Sequence, residues 1–357
     1  MPATTDPLLA RRLANLGATL LLIAGIGACY ALIPYYRDYF AVRPPALGER
    51  WRWWDVLLLV TTVYVSLLTF FYLFEPAPRT SKSVLCLRAL KRLLTAPLAT
   101  LRAGLPREER LGLLSILLKG YFAPLMIVWL FDHSAQLLAH ARDLWAAWGE
   151  ADGLALFNAH GFWLLFKLIL FFDVFFFTLG YLIELPVLKN EIRSVDPTLF
   201  GWAVALACYP PFNGLTSQVF GWHTTDFPQF DHVGVHLAAN AALLILMAIY
   251  SWASLALLFK ASNLTHRGIV AHGPYRYVRH PAYVCKNLAW WIGLMPAAHA
   301  AAQVSVTALL AVLGSMAAWS TIYALRAITE ERHLLSVDGE YAAYCQRVQY
   351  RFIPGVV

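Results

Sequence analysis

Two polar clusters interrupt an otherwise apolar chain, and both carry residue types that can do chemistry. The first is HGPYRYVRHPAYV, His272 to Val284. Pro274 and Pro281 fix their own φ and push the preceding residues out of the helical region, which predicts a shaped turn leading into a helix that begins near Ala282. Tyr275, Tyr277 and Tyr283 offer ring faces and hydroxyls, and Arg276, Arg279 and His280 offer cationic donors. Such a set could stack an adenine and bind a ribose, a carboxylate or a phosphate. The same composition also suits an ordinary loop at a membrane interface, where Tyr and Arg accumulate. The second cluster is RAITEERHLLSVDGEYAAYCQRVQYRFIPG, Arg326 to Gly355. Arg326 and Glu330 are spaced i,i+4 and share a helix face. Glu331 is rotated about 100° from Glu330. Asp338-Gly339 breaks the helix, and a second short helix follows with Tyr341, Tyr344 and Arg347. Alone, this stretch equally describes a solvated charged helix closing a final span. The two clusters gain meaning together. They sit at opposite ends of one apolar hairpin, which brings them to the same side. Arginines, carboxylates and rings at the mouth of a bundle fit a place where a water-soluble cofactor meets a membrane substrate.

The elements that must position these clusters follow from composition. Of 357 residues, 59% are hydrophobic and 14% charged, against about 25% charged in soluble domains. Mean hydropathy is +0.57. The chain reads as all-α, a polytopic transmembrane bundle of about seven or eight spans with a cytoplasmic cofactor pocket formed by its C-terminal part. The apolar runs are 13–34, 55–74, 111–131, 160–185, 198–213, 233–259, 287–301 and 303–325, of which 198–213 and 287–301 are short. Arg11 and Arg12 precede the first run, which is long enough to be an uncleaved helix rather than a signal peptide. The 75–110 loop holds Arg79, Lys82, Arg88, Lys91, Arg92, Arg102, Arg107 and Arg110. The positive-inside bias therefore predicts a cytoplasmic loop there and cytoplasmic termini; a cell inner membrane is the expected location. The 35–54 loop, with four arginines, runs against that assignment. Residues 84–98 have leucines and basic residues at helical spacing. That suits an amphipathic helix on an anionic leaflet or a solvated basic loop. The net charge of +7 fits cytoplasmic loops rather than a nucleic-acid partner. Five cysteines show no C-x-x-C and no metal spacing, so neither a disulfide framework nor a metal is expected. A change in composition near residue 260 divides the sequence into a membrane scaffold, 1–259, and a chemical module, 260–357.

Other polar residues lie in apolar surroundings. Lys167 and Asp173 fall inside FWLLFKLILFFDVFFF, six residues apart and so on different faces, each needing a partner on another helix. His236 and Asn240 share a face and are expected to hydrogen-bond to a neighbouring helix. The aromatic segment 208–232 reads as a structured external lid.

The combined pattern G-P-Y-x-x-x-R-H-P-x-Y, an apolar hairpin, R-x-x-x-E-E-x-x-L-x-x-x-x-G-x-Y-x-x-Y and a final R-x-x-P resembles the isoprenylcysteine carboxyl methyltransferase family and its bacterial relatives. The resemblance covers about the last 95 residues. It implies an integral membrane enzyme that takes methyl groups from S-adenosylmethionine and works among membrane lipids on a lipidic or other small hydrophobic acceptor. By this resemblance Tyr275, His280, Pro281 and Tyr283 form the cofactor loop, with Val270 in the stretch leading in and His272 beside it. Glu330 matches the acidic residue that holds the cofactor, and Arg326 the arginine that faces the substrate, with Arg279 nearby. Arg267 stands where the family has a histidine, flanked here by His266 and His272. The tail YCQRVQYRFIPG is also similar to that of membrane sterol reductases, which use NADPH and carry R-H-x-N-Y-x-G-D. Here Ala282 replaces the Asn, and Cys285-Lys286 the Gly-Asp.

Methyl transfer from a sulfonium is an in-line displacement that needs positioning and exclusion of water more than a nucleophile on the protein. For a carboxylate or thiolate acceptor, Arg326 would orient the anion while Glu330 fixes the cofactor. For an amine, a base is needed, and His272 or Glu331 are the candidates.

Overall fold

The structure is a computed structural model and describes residues 6–48, 50–150 and 152–356. It is almost wholly helical, with one two-stranded ladder. The chain forms two compact units, 1–132 and 133–357.

The first unit begins with α1 (Pro7–Leu32), capped by the Asp6 side chain, which accepts from the Leu8 amide. A short α2 (Pro34–Ala41) turns the chain into α3 (Trp53–Phe74). Helix α4 (Lys82–Thr95) is capped by Ser81 and lies against α1. Its Leu85, Cys86 and Ala89 face inward. Asn15 ties the two together: its Nδ2 donates to the Arg79 carbonyl (2.7 Å) and its Oδ1 accepts from the Ser81 amide (3.0 Å). After α5 (Pro97–Ala103) comes α6 (Arg107–Ala146), whose 40 residues extend about 60 Å at 1.5 Å per residue and cross the boundary between the units.

In the second unit, α7 (Gly153–Leu156) passes through a π-helical stretch, Phe157–Gly161, into α8 (Phe162–Leu182). Then come β1 (Ser194–Val195), α9 (Leu199–Leu206), α10 (Phe212–Phe220), α11 (Val233–Leu257), β2 (Thr265–His266), α12 (Pro281–Val304), α13 (Val306–Val337) and α14 (Gly339–Arg347). Helices α8, α11, α12 and α13 pack in sequence order. Phe162, Phe166, Leu243, Met247 and Ala289 form one core, and Leu294, Met316 and Trp319 another. Ser305 alone links α12 to α13, and its side chain caps α13. The Trp291 indole donates to Ser320 Oγ across this hairpin (3.1 Å).

Among the described residues six helices are long and apolar enough to cross a membrane: 7–32, 53–74, 107–146, 153–182, 233–260 and 306–337. The expectation of seven or eight spans is corrected at 198–213. That run is broken into the eight-residue α9, a turn and α10. Eight helical residues reach only about 12 Å, against about 30 Å of hydrocarbon. Helix α12 has the length, at 24 residues, but Lys286, Asn287 and His299 dilute its apolarity.

The isolated polar residues find partners. Asp173 accepts from the hydroxyls of Tyr250 (2.6 Å) and Ser254 on α11. His236 Nε2 meets Asn158 Oδ1 at 2.9 Å, and Asn240 Nδ2 donates to the Pro228 carbonyl at 2.9 Å. Residues 224–228 do not lie over the bundle as a lid; they enter it. The Thr225 amide donates to the Gly293 carbonyl (3.2 Å), and Thr224 Oγ1 to that of Trp290 (2.8 Å). Gly293 permits this approach, because a Cβ there would collide with the Thr225 carbonyl.

Candidate active site

The turn His272–His280 is held from three directions. The β1–β2 ladder pairs Ser194 with His266 and Val195 with Thr265, fixing the approach to the turn. Tyr344 on α14 donates its hydroxyl to the Tyr275 carbonyl (2.7 Å). The amides of Arg279 and His280 donate to the carbonyls of Tyr350 and Arg351, both at 3.0 Å. The C-terminal tail thus pairs with the R-H-P segment, which leaves Pro281 to open α12.

Glu331 lies at the centre of this arrangement. Its Oε1 accepts from Arg279 Nε (2.7 Å) and faces His280 Nε2 (3.1 Å); its Oε2 accepts from Arg351 Nε (3.0 Å) and Nη2 (2.7 Å). The carboxylate is buried and its lone pairs are occupied. Arg351 is correspondingly held above its ordinary pKa by the Glu331 hydrogen bond. The remaining donors of Arg279 reach the Val348 and Gln349 carbonyls (3.0 and 2.8 Å). Arg279 therefore turns toward Glu331 and the tail, while His280 lies between the two glutamates, its Nδ1 4.0 Å from Glu330 Oε2.

The neighbouring carboxylate faces elsewhere. Glu330 accepts from the Tyr283 hydroxyl at 3.0 Å, and its side chain is 41% exposed. The His280 and Tyr283 rings stack with centroids 5.4 Å apart. One turn back, Arg326 is 6% exposed. Its guanidinium lies against the faces of Tyr323 (5.0 Å), Tyr283 (5.1 Å) and Tyr209 (5.7 Å), and Nη2 donates to Asn263 Oδ1 (3.0 Å). Arg326 has no carboxylate partner among the described residues. Asn263 is itself fixed by the Tyr181 and Tyr209 hydroxyls (2.9 and 3.2 Å). A cleft runs along this helix face, lined by Asp196, Asn263, Tyr283, Arg326, Glu330 and His333.

Of the residues the sequence nominates, Tyr283, Arg326 and Glu330 meet in this cleft. Tyr275 lies close by; burial and the Glu330 carboxylate hold its phenol above the ordinary pKa, so it remains a neutral donor. Pro281 is buried at the helix start, Val270 is half-buried in the lead-in, and His272 is exposed and does not line the cleft. Arg267, the departure from the family pattern, is buried away from the cleft and donates to the Asn190 carbonyl (2.8 Å). Burial lowers its pKa, with Glu184 opposing. His266 pairs with Asp338 (2.9 Å), and burial nonetheless keeps its pKa below the ordinary value.

The sequence reading passed over Asn263, Tyr209, Asp196 and His333. His333 was legible, being i+7 from Arg326 and i+3 from Glu330 on the same face. Its Nε2 meets Ser194 Oγ at 3.0 Å. The other three arrive from distant segments.

The donor set suits S-adenosylmethionine: Glu330 for hydroxyls or an amino group and tyrosine faces for a sulfonium. The cleft has room for about one water, about 20 Å³, and opens to solvent at Glu330. Comparisons with curated proteins and with solved structures find no match. Residues 233–336, which span α11, the R-H-P turn, α12 and nearly all of α13, match the Isoprenylcysteine carboxyl methyltransferase (ICMT) family. This matched stretch carries Tyr283, Arg326 and Glu330, and it supports reading the chain as an integral membrane methyltransferase similar to that family.

Proposed function

We propose that this chain is an S-adenosylmethionine-dependent methyltransferase acting on a lipidic or small hydrophobic acceptor at the cytoplasmic face of a cell inner membrane. The observation that carries this reading is the pairing on α13 of Arg326, buried without a carboxylate, and Glu330, one turn on and reachable from solvent. S-adenosylmethionine, when bound, supplies an electrophilic methyl group. Glu330, oriented by Tyr283, holds the cofactor through its free oxygen. Arg326, pinned by Asn263 and three rings, presents its remaining donors to an anionic group on the acceptor. Arg279 and His280 act at one remove, by fixing the turn through Glu331. Residues 260–357 form the chemical module in this proposal, with 1–259 as scaffold, and the basic 75–110 loop supports cytoplasmic termini.

The test is a thermal-shift comparison of S-adenosylmethionine and NADPH with the purified protein in detergent. Stabilisation by S-adenosylmethionine, weakened in Glu330→Ala, supports the proposal. Stabilisation by NADPH alone would move the protein to the reductases that share the tail pattern.

A further inference from the structure

A second cavity lies in the same unit, between α8, α11, α12 and the inserted 224–228 segment. It offers about 180 Å³ of solvent-sized room, against about 20 Å³ in the first cleft. Its apolar wall includes Phe166, Leu170, Leu243 and Met247, and its polar side chains are Lys286, Asp226 and Thr225. Lys286 makes no hydrogen bond or ion pair among the described residues. Its ammonium rests on three ring faces: Tyr250 (5.2 Å), Trp290 (5.5 Å) and Tyr323 (5.9 Å). Tyr323 is also the ring that backs Arg326, so one aromatic wall separates the cavity from the cleft.

The carboxylates near Lys286 are shared with other groups. Lys286 feels the carboxylates of Asp173 and Asp226 and the guanidinium of Arg326, and Lys167 also faces Asp226. Asp226 is thus shared between Lys286 and Lys167, while Glu330 lies beyond Tyr283 and opens to solvent. Asp173 is already engaged by Tyr250 and Ser254. In a low-dielectric interior an uncompensated cation is costly, and intramembrane charges of this kind mark ligand sites. Cation–π contact offsets part of that cost but leaves all three ammonium hydrogens without acceptors.

We propose that this cavity binds an anionic amphiphile, its acidic group on Lys286 and its chain along Phe166, Leu170, Leu243 and Met247. The shared chemistry is a carboxylate or a phosphate monoester on a long alkyl chain. This goes beyond the methyltransferase reading, because binding needs no methyl donor.

The experiment is native mass spectrometry of the full chain, released from zwitterionic nanodiscs after equilibration with myristate, tetradecyl phosphate or tetradecanol, with no S-adenosylmethionine present. One myristate or one tetradecyl phosphate per chain should be retained about tenfold more strongly than the alcohol. Retention of only one of the two acids would identify the source. Lys286→Met should remove the preference and Lys286→Arg should keep it. Leu243→Trp, which fills the cavity, should prevent retention in a chain that still elutes as a folded species with unchanged circular dichroism. Equal retention of acid and alcohol by the wild type overturns the proposal. Undiminished acid binding in folded Lys286→Met or Leu243→Trp protein does the same. Because no cofactor enters the measurement, its outcome is separate from that of the thermal-shift test.

Discussion

Tyr283 donates its hydroxyl to Glu330 at 3.0 Å while its ring lies 5.1 Å from the Arg326 guanidinium. One side chain therefore sets the carboxylate assigned to the cofactor and walls the cation assigned to the acceptor. Tyr283→Phe keeps the wall and removes the hydrogen bond. A hydrogen bond to a charged group is worth about 1.5–3 kcal/mol. S-adenosylmethionine affinity, measured by calorimetry, should fall by about tenfold or more, with the apparent melting temperature nearly unchanged.

Arg326 should separate binding from turnover. Arg326→Met removes the donors that meet the acceptor, and turnover should fall by about a hundredfold or more with cofactor affinity within about twofold of wild type. Arg326→Lys should not rescue it, because an ammonium cannot reproduce a planar guanidinium stacked among three rings. A methylation assay alongside cofactor titration checks both statements.

Glu331 is the opposite case. Glu331→Ala leaves Arg279, His280 and Arg351 without their acceptor. Breaking a buried ion pair by removing one partner costs about 3–5 kcal/mol. The exposed share of Arg351, 30%, places this one toward the lower end. The readout is a lowered unfolding midpoint in detergent, with cofactor binding lost through disorder of the turn.

The His266–Asp338 pair predicts a pH dependence. Burial holds the His266 pKa below the 6.5 expected in the unfolded chain, so the folded state binds fewer protons than the unfolded state in the interval between the two values. Stability is thus full above pH 6.5 and declines as pH falls through that interval. His266→Gln should flatten the slope of melting temperature against pH on the acid side; an unchanged slope would assign it to another group.

Gly293→Ala tests the inserted segment. The added Cβ collides with the Thr225 carbonyl, and overpacking of this kind costs about 1–3 kcal/mol. Limited proteolysis should then cut between 221 and 232 faster than in the wild type.

The long apolar helices and the hairpin were legible because hydropathy and capping are local: Ser305, Pro281 and Asp338 mark their own boundaries. Arg326 and Glu330 were legible because four residues is one helical turn. The division of labour between Glu330 and Glu331 was not, since it depends on Arg351 and the tail carbonyls folding back over α13. Nor was the setting of Arg326, whose partners Tyr209 and Asn263 come from segments far away in the chain. The run 198–213 looked like a span because composition cannot show that Pro210 and Pro211 divide it.

The pairing of residues 348–351 with Arg279 and His280 also has a consequence for biosynthesis. The turn is clamped by residues that follow every apolar helix in chain order. A nascent chain can be fully inserted in the bilayer and still lack a formed pocket, so integration and competence are separate events. Synthesis of residues 348–351, rather than insertion of the helix before them, completes the turn.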